Sequence, residues 1–123
     1  VFGSEQVRPN IHIDDITDVY IHFLKIKNNA RGIYNAGFEN LKIIEISQMI
    51  AKEFPCEILV TKSSDNRSYK VNSDKLLKTG FKPKKNVQKA IHEMADLIKE
   101  KKIKDKLECY NLKWMEKNKF YDF

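Results

Sequence analysis

The sequence predicts an α/β fold, built as a small mixed lobe with few short strands and about four helices. Apolar residues recur at helical spacing in residues 15–27, 42–54 and 86–98. Short runs rich in β-branched residues lie between these helices. The alternation is typical of an α/β layer, and 123 residues with 41% apolar side chains suffice for one core but not for two.

The three long helices carry signals at their ends. Asp14 or Asp15 is the predicted N-cap of the first helix, because a carboxylate there accepts from unpaired N–H groups and suits the positive end of the helix dipole. Pro55 ends the second helix, since proline cannot continue a helix interior. Asn86 is the predicted N-cap of the third helix, which has the clearest apolar stripe in the chain.

The remaining elements are short. Strands are predicted at residues 33–36, 57–61 and 69–71 from their β-branched and aromatic content. A small helix is expected over residues 73–78, and Gly80 lies where a left-handed residue often follows a helix. Three short strands make a poor sheet on their own.

Composition divides the chain near residue 101. Residues 1–101 hold all of the elements above, whereas residues 102–123 are highly charged with interspersed large apolar side chains. We expect this C-terminal arm to be partly helical and to dock by its aromatic residues. Those large side chains are Tyr110, Leu112, Trp114, Met115, Phe120 and Tyr121.

Several function classes find no support in the sequence. No apolar run reaches membrane-spanning length and no signal peptide is recognisable, so a cytoplasmic protein with reduced Cys56 and Cys109 is expected. The histidines lie far apart, and no spacing of His, Cys, Asp or Glu predicts a metal site. The four glycines cannot form a phosphate-cradling loop, and no tyrosine is followed four residues later by lysine. The sequence therefore shows no catalytic apparatus.

The positive charge is concentrated in one segment. Residues 62–89 carry nine basic and two acidic side chains, a balance of +7, whereas residues 1–61 carry six and eight, a balance of −2. A phosphorylated partner would suit this segment, although a solvated lysine face is the commoner cause of such a run.

Three segments resemble, in order, the C-terminal part of NAD-dependent nucleotide-sugar epimerases and dehydratases, of the extended short-chain dehydrogenase/reductase family. Residues 6–15 resemble the arginine segment that ends in an Ile-His-Val-x-Asp motif. Residues 32–37 resemble the Tyr-Asn-x-Gly strand end. Residues 65–71, followed by Asp74-Lys75 and by residues 80–83, resemble the Asp-x-Arg segment and the Gly-Phe/Trp-x-Pro tail. Each motif alone is weak, but three in order are specific.

The resemblance implies a substrate-binding portion without its catalyst. In such enzymes an N-terminal Rossmann domain, with a glycine-rich loop and a Tyr-x-x-x-Lys pair, holds NAD or NADP. By this resemblance Arg8 and Arg67 would bind the diphosphate of a nucleoside-diphosphate sugar, Asn35 would face the nucleotide, and Tyr69 would lie near the base or ribose. Lys62 stands where many members have another arginine. The chain alone would be inactive and would bind no cofactor.

Other interpretations remain for these residues. Arg8 and Arg67 could be surface arginines, Asn35 could cap a turn, and Tyr69 could be a half-buried strand residue. The resemblance also implies two partners, the missing Rossmann domain and a second copy, because the lobe would expose apolar surface. A different class is a small basic module that binds nucleic acid or protein; against it, the basic segment contains only two aromatic residues, Tyr69 and Phe81.

Overall fold

Two short strands pair to form the sheet on which the site is built. The computed structural model describes residues 1–26, 30–65 and 67–118. Strand β1 (Val7–Asn10) runs antiparallel to strand β2 (Glu39–Lys42), with Val7 opposite Lys42 and Pro9 opposite Asn40. Hydrogen bonding between the two segments continues one step beyond β2, because the Phe38 N–H donates to the Asn10 carbonyl at 2.9 Å.

Helices supply most of the regular structure, and the small mixed α/β class is confirmed. Among the described residues none of the helices has the length and apolar character needed to cross a membrane. These residues form five α-helices and one 3-10 helix: α1 (Ile13–Lys25), α2 (Ile43–Glu53), α3 (Asp74–Leu77), α4 (Val87–Lys99), the 3-10 helix Leu107–Cys109 and α5 (Asn111–Lys117).

The start of α1 differs from the prediction, which placed the N-cap at Asp14 or Asp15. His12 is the N-cap, and its Nδ1 accepts from the Asp14 N–H at 3.1 Å. Asp15 instead is only 1% exposed and accepts from the main-chain N–H groups of Lys84 and Lys85. The helix therefore begins two residues earlier than predicted. Its predicted end at residue 27 lies outside the described residues, but the helix already ends at Lys25, where Ile26 has an extended backbone.

The predicted strand at residues 33–36 is wrong. This segment contributes side chains to the core, and pairing with β1 starts only at residue 38. Tyr34 packs against Phe23 with ring centroids 4.8 Å apart, while Ile33 is 87% exposed. Residues with high β-propensity here serve tertiary packing, which overrides a local preference of this size.

The other two predicted strands are also wrong. Within residues 57–61 only a single parallel bridge forms, between Thr61 and Phe2. Residues 68–71 pass the outer side of β1, where the Tyr69 N–H donates to the Val7 carbonyl at 3.3 Å. A regular ladder cannot follow because Pro9 has no N–H to donate. The Asn40 side-chain amide bonds both main-chain groups of Val71, at 2.8 and 3.0 Å.

The small core lies between α1, α3 and the chain around Phe81. Val19, Leu76 and Phe81 are at most 7% exposed. Ser73 occupies the N-cap position of α3, but its hydroxyl bonds the N–H and C=O of Gly37 instead of a helix N–H. Gly80 has φ of 93°, the left-handed region predicted for it.

The third long helix agrees with its prediction at the N-terminus. The Asn86 side chain accepts from the Lys89 N–H at 2.8 Å, and α4 extends from there to Lys99. Its apolar stripe packs on α2 and leaves an apolar groove of about 440 Å³. The C-terminal arm is partly helical, as expected, although its Phe120 and Tyr121 lie outside the described residues.

Candidate anion-binding site

An open cleft of about 440 Å³, lined mostly by polar residue types, lies between the chain that leads into β1 and the loop after residue 60. Its walls combine residues from the first and the middle thirds of the sequence. They are Gly3, Ser4, Glu5, Gln6, Val60, Thr61, Lys62, Ser63, Asp65 and Ser68.

Arg8 lies at the edge of this cleft and joins its two walls. Its Nη1 donates to the main-chain carbonyl of Arg67 at 2.5 Å and to that of Val7 at 3.1 Å. Its Nη2 donates to Oε1 of Gln6 at 2.6 Å. The guanidinium carries five N–H donors, so these bonds leave donor capacity for an anion. The side chain is 23% exposed, which means that Arg8 is both a structural tie and an accessible cation.

Asp65 and Arg67 form a two-point ion pair at the same place. Arg67 donates through Nε to Oδ1 of Asp65 and through Nη2 to Oδ2, both at 2.8 Å. The Arg67 main-chain N–H also donates to Oδ1, at 2.9 Å. These hydrogen bonds hold the pKa of the Asp65 carboxyl far below its usual range and raise the pKa of Arg67. The Arg67 side chain remains 82% exposed.

The two arginines converge on a single carboxylate oxygen. Oδ2 of Asp65, already bonded to Arg67, lies 4.0 Å from Nη2 of Arg8. The two arginines are 59 residues apart in sequence. Paired guanidinium groups at one point favour an anion, and their planar forks suit two oxygens of the same phosphate or carboxylate.

Two further predicted residues lie in or beside this group. The Tyr69 ring lies under the Arg8 guanidinium, 5.0 Å from carbon to centroid, and is 53% exposed. A cation over an aromatic face is favourable and orients both groups. Lys62 is exposed and lines the cleft. The structure therefore brings together Arg8, Lys62, Arg67 and Tyr69.

Asn35 is placed differently from the other predicted residues. It is exposed, and its side-chain amide donates to the Asn72 carbonyl at 3.4 Å. Asn35, like Arg8 and Arg67, is not among the residues that line the cleft. Its role facing the nucleotide stays a prediction.

Sequence reasoning missed two residues of this site. Gln6 donates through Nε2 to the Asp65 carbonyl and accepts from Arg8, so it links both walls. Asp65 forms part of the resembling motif, but its carboxylate was not predicted as a site group. The signal was its spacing, because an aspartate side chain commonly bonds the main chain two residues on.

A second polar group joins α1 to α4. His12 accepts through Nδ1, so Nε2 carries the proton and donates to Glu93 at 3.1 Å. His12, Asp14 and Glu93 offer ligand atoms within 4.8 Å of one another, which the sequence spacing did not predict. The Lys85 ammonium lies 2.6 Å from Asp14 and 2.8 Å from Glu93. A metal ion would have to displace this ammonium.

Part of the positive charge in residues 62–89 is already engaged within the fold. Lys84 bonds Asp18 at 2.6 Å, and Lys75 donates to the Ile33 carbonyl while lying over the Tyr34 ring. Phe81 is in the core, 7% exposed. Of the two aromatic residues in this segment, only Tyr69 presents an accessible ring.

Comparison of the chain with protein-family models and with curated proteins gives no match.

Proposed function

We propose that this chain is the substrate-binding portion of an NAD(P)-dependent nucleotide-sugar epimerase, dehydratase or reductase, and that its cleft binds the diphosphate of a nucleoside-diphosphate sugar. The observation that carries the proposal is the convergence of Arg8 and Arg67 on one anionic oxygen beside an open cleft. The three motifs of the sequence supply the family and hence the nucleotide.

The chemistry of the site supports a multiply charged anion. Arg8 and Arg67 would each donate to phosphate oxygens, and exposed Lys62, on the loop after residue 60, would add a point charge. The accessible ring of Tyr69 would contact the ribose or base. These roles require no proton transfer, so the chain binds and orients its ligand without catalysing a reaction.

The cofactor belongs to another domain in this proposal. NAD and NADP sites of the Rossmann type need a glycine-rich turn that opens a helix. The described glycines do not provide one, because Gly37 leads towards β2 and Gly80 follows α3. NAD or NADP would therefore be held by the Rossmann domain of the full-length enzyme.

Isothermal titration with a nucleoside diphosphate tests the proposal. Wild-type chain should bind, and Arg67→Ala should bind roughly five- to tenfold more weakly, the loss expected for one charge-assisted contact. Arg31→Ala is the matched control, since it removes an exposed arginine side chain at a position that is not part of the cleft or of the Asp65 ion pair. Equal affinity of wild type and both Arg67→Ala and Arg8→Ala would refute the site.

The resemblance also predicts self-association through exposed apolar surface. On α1 the large apolar side chains Ile13, Tyr20 and Leu24 are 70%, 69% and 86% exposed. These residues recur at helical spacing on one face. Sedimentation should show concentration-dependent association that Leu24→Gln weakens, and a wild-type monomer at high concentration would contradict this prediction.

The alternative of a nucleic-acid-binding module is less well supported. Nucleic-acid surfaces combine basic side chains with several accessible aromatic rings, whereas of the two aromatic residues in the basic segment Phe81 is buried and Tyr69 alone is accessible. A salt-dependent gel shift with mixed oligonucleotides distinguishes the two. Retention at moderate salt that survives Arg67→Ala would favour the module over the nucleotide-sugar site.

A further inference from the structure

We propose that Asp65 is an internal counter-anion that occupies the arginine pair before a ligand arrives, so that ligand binding exchanges a carboxylate for a phosphate. This inference rests on the proposed function. It makes Asp65 the residue that limits which anions can enter the cleft.

The position of the carboxylate supports the exchange. Oδ2 of Asp65 is 2.8 Å from Nη2 of Arg67 and 4.0 Å from Nη2 of Arg8. A phosphate oxygen bound by both guanidinium groups would need that same space. The Asp65 side chain is 36% exposed and lines the cleft, so an anion from solvent can reach it.

The two oxygens of Asp65 have different tasks. Oδ1 accepts from the Nε of Arg67 at 2.8 Å and also from the main-chain N–H of Arg67 at 2.9 Å, and so closes a local turn. Oδ2 contacts only guanidinium groups among its described hydrogen bonds and ion pairs. The turn can therefore persist while Oδ2 yields its contacts to a ligand oxygen.

The main chain around Asp65 is held by other bonds. Its N–H donates to the Ser63 hydroxyl at 3.1 Å, and its carbonyl accepts from Gln6. These contacts do not involve the carboxylate. The loop therefore does not depend on Oδ2 for its position.

Exchange selects for charge on the ligand. A singly charged anion would replace the Asp65 carboxylate by a group of equal charge, so the exchange would add little binding free energy. A diphosphate brings more than one negative charge and further oxygens for Lys62 and Arg8. Asp65 thus favours multiply charged ligands over acetate-like or chloride-like anions.

The test is isothermal titration with inorganic pyrophosphate and with a nucleoside diphosphate. Asp65→Asn keeps an oxygen for the Arg67 N–H and removes the charge at Oδ2, so both ligands should bind about two- to fivefold more tightly. Asp65→Ser repeats the loss of charge with a hydroxyl that can close the same turn. Glu116→Gln, which neutralises an exposed carboxylate of α5, should leave affinity unchanged.

The outcomes separate the two proposals. Wild-type binding with no gain in Asp65→Asn and Asp65→Ser overturns the exchange and leaves the proposed function standing. Absence of binding in wild type and in both variants overturns the proposed function and the exchange with it. An equal gain in Glu116→Gln also overturns the exchange, because general charge would then explain the effect.

Discussion

Asp15 and Asp65 are two aspartates whose carboxylates each accept several hydrogen bonds, but the burial of the two side chains and the groups that donate to them differ. Asp15 is 1% exposed and is bonded by main-chain N–H groups of Lys84 and Lys85. Asp65 is accessible and is bonded chiefly by the flexible side chain of Arg67. The first carboxylate fixes the position of a loop, whereas the second satisfies a cation that a ligand could use.

The difference teaches how a carboxylate's partners determine its role. Main-chain N–H groups cannot turn to a new acceptor unless the fold itself changes, so an anion from solvent cannot take the place of Asp15. Guanidinium groups on exposed side chains can turn to a new acceptor at little cost, since exposed ion pairs contribute weakly. Burial and donor type therefore distinguish the structural carboxylate from the exchangeable one.

The largest predicted effect is on stability at Asp15. Asp15→Ala leaves the N–H groups of Lys84 and Lys85 without their acceptor and should lower the free energy of unfolding by about 3 kcal/mol. Asp65→Ala should leave the urea midpoint nearly unchanged. Equal losses of unfolding free energy in the two variants, measured by urea unfolding, would show that the two carboxylates do not differ in their contribution to stability.

The next effect separates the two arginines. Arg8→Ala removes bonds to Gln6 and to two main-chain carbonyls and should lower stability by about 1 kcal/mol. Arg67→Ala should weaken anion binding with an unchanged melting temperature, because its side chain is 82% exposed. Thermal unfolding of the two variants beside Arg31→Ala checks this. A larger destabilisation by Arg67→Ala would reverse the assignment.

Salt should affect the two carboxylates unequally. Screening weakens interactions between accessible charges far more than hydrogen bonds of a buried group. Pyrophosphate affinity should therefore fall as sodium chloride rises from 0.05 to 0.5 M, a range of about tenfold in ionic strength. The stability difference between wild type and Asp15→Ala should stay constant over the same range, and a parallel decline would contradict the comparison.

The smallest effect is expected from the group of His12, Glu93 and Lys85, in which Lys85 takes part through its ammonium, whereas its main-chain N–H bonds Asp15. Lys85 lowers the pKa of Glu93 from its ordinary value of 4.5, and Asp14 and Glu93 raise the pKa of Lys85 to about 12. The contribution of the Glu93–Lys85 ion pair to the free energy of unfolding is fully present between pH 4.5 and 10.5. It is lost as pH falls through the folded pKa of Glu93 or rises through that of Lys85.

Melting temperature against pH measures this contribution. Wild type should lose stability at the acid end more steeply than Glu93→Gln, which has no carboxyl to protonate at this position. Superimposable acid limbs of the two curves would show that the group does not contribute.

Local signals predicted the helices well. The apolar stripe of α4 and its Asn86 cap depend on neighbours within four residues, and both are present in the structure. The cap of α1 was predicted wrongly because the fate of Asp15 depends on Lys84, 69 residues away. Nothing near Asp15 in the sequence indicates that distant partner.

The strands and the site depend on distant contacts. Pairing of β1 with β2 places Pro9 opposite Asn40, and that pairing decides where a ladder can form. Arg8 and Arg67 were predicted from motifs, but their convergence on Asp65 is a property of the folded chain. The spacing of residues along the sequence does not indicate which distant side chains meet in the folded chain.

Pro9 and Asn40 also bear on how this chain avoids adding strands from other molecules. The outer side of a two-stranded sheet is normally a template for a foreign strand. Here Pro9 has no N–H to donate, and residues 68–71 lie along the outer edge of β1, where the Tyr69 N–H donates to the Val7 carbonyl and the Asn40 amide binds Val71 at 2.8 and 3.0 Å. This irregular segment thus covers the outer edge of β1 and leaves fewer main-chain groups there for a foreign strand to pair with.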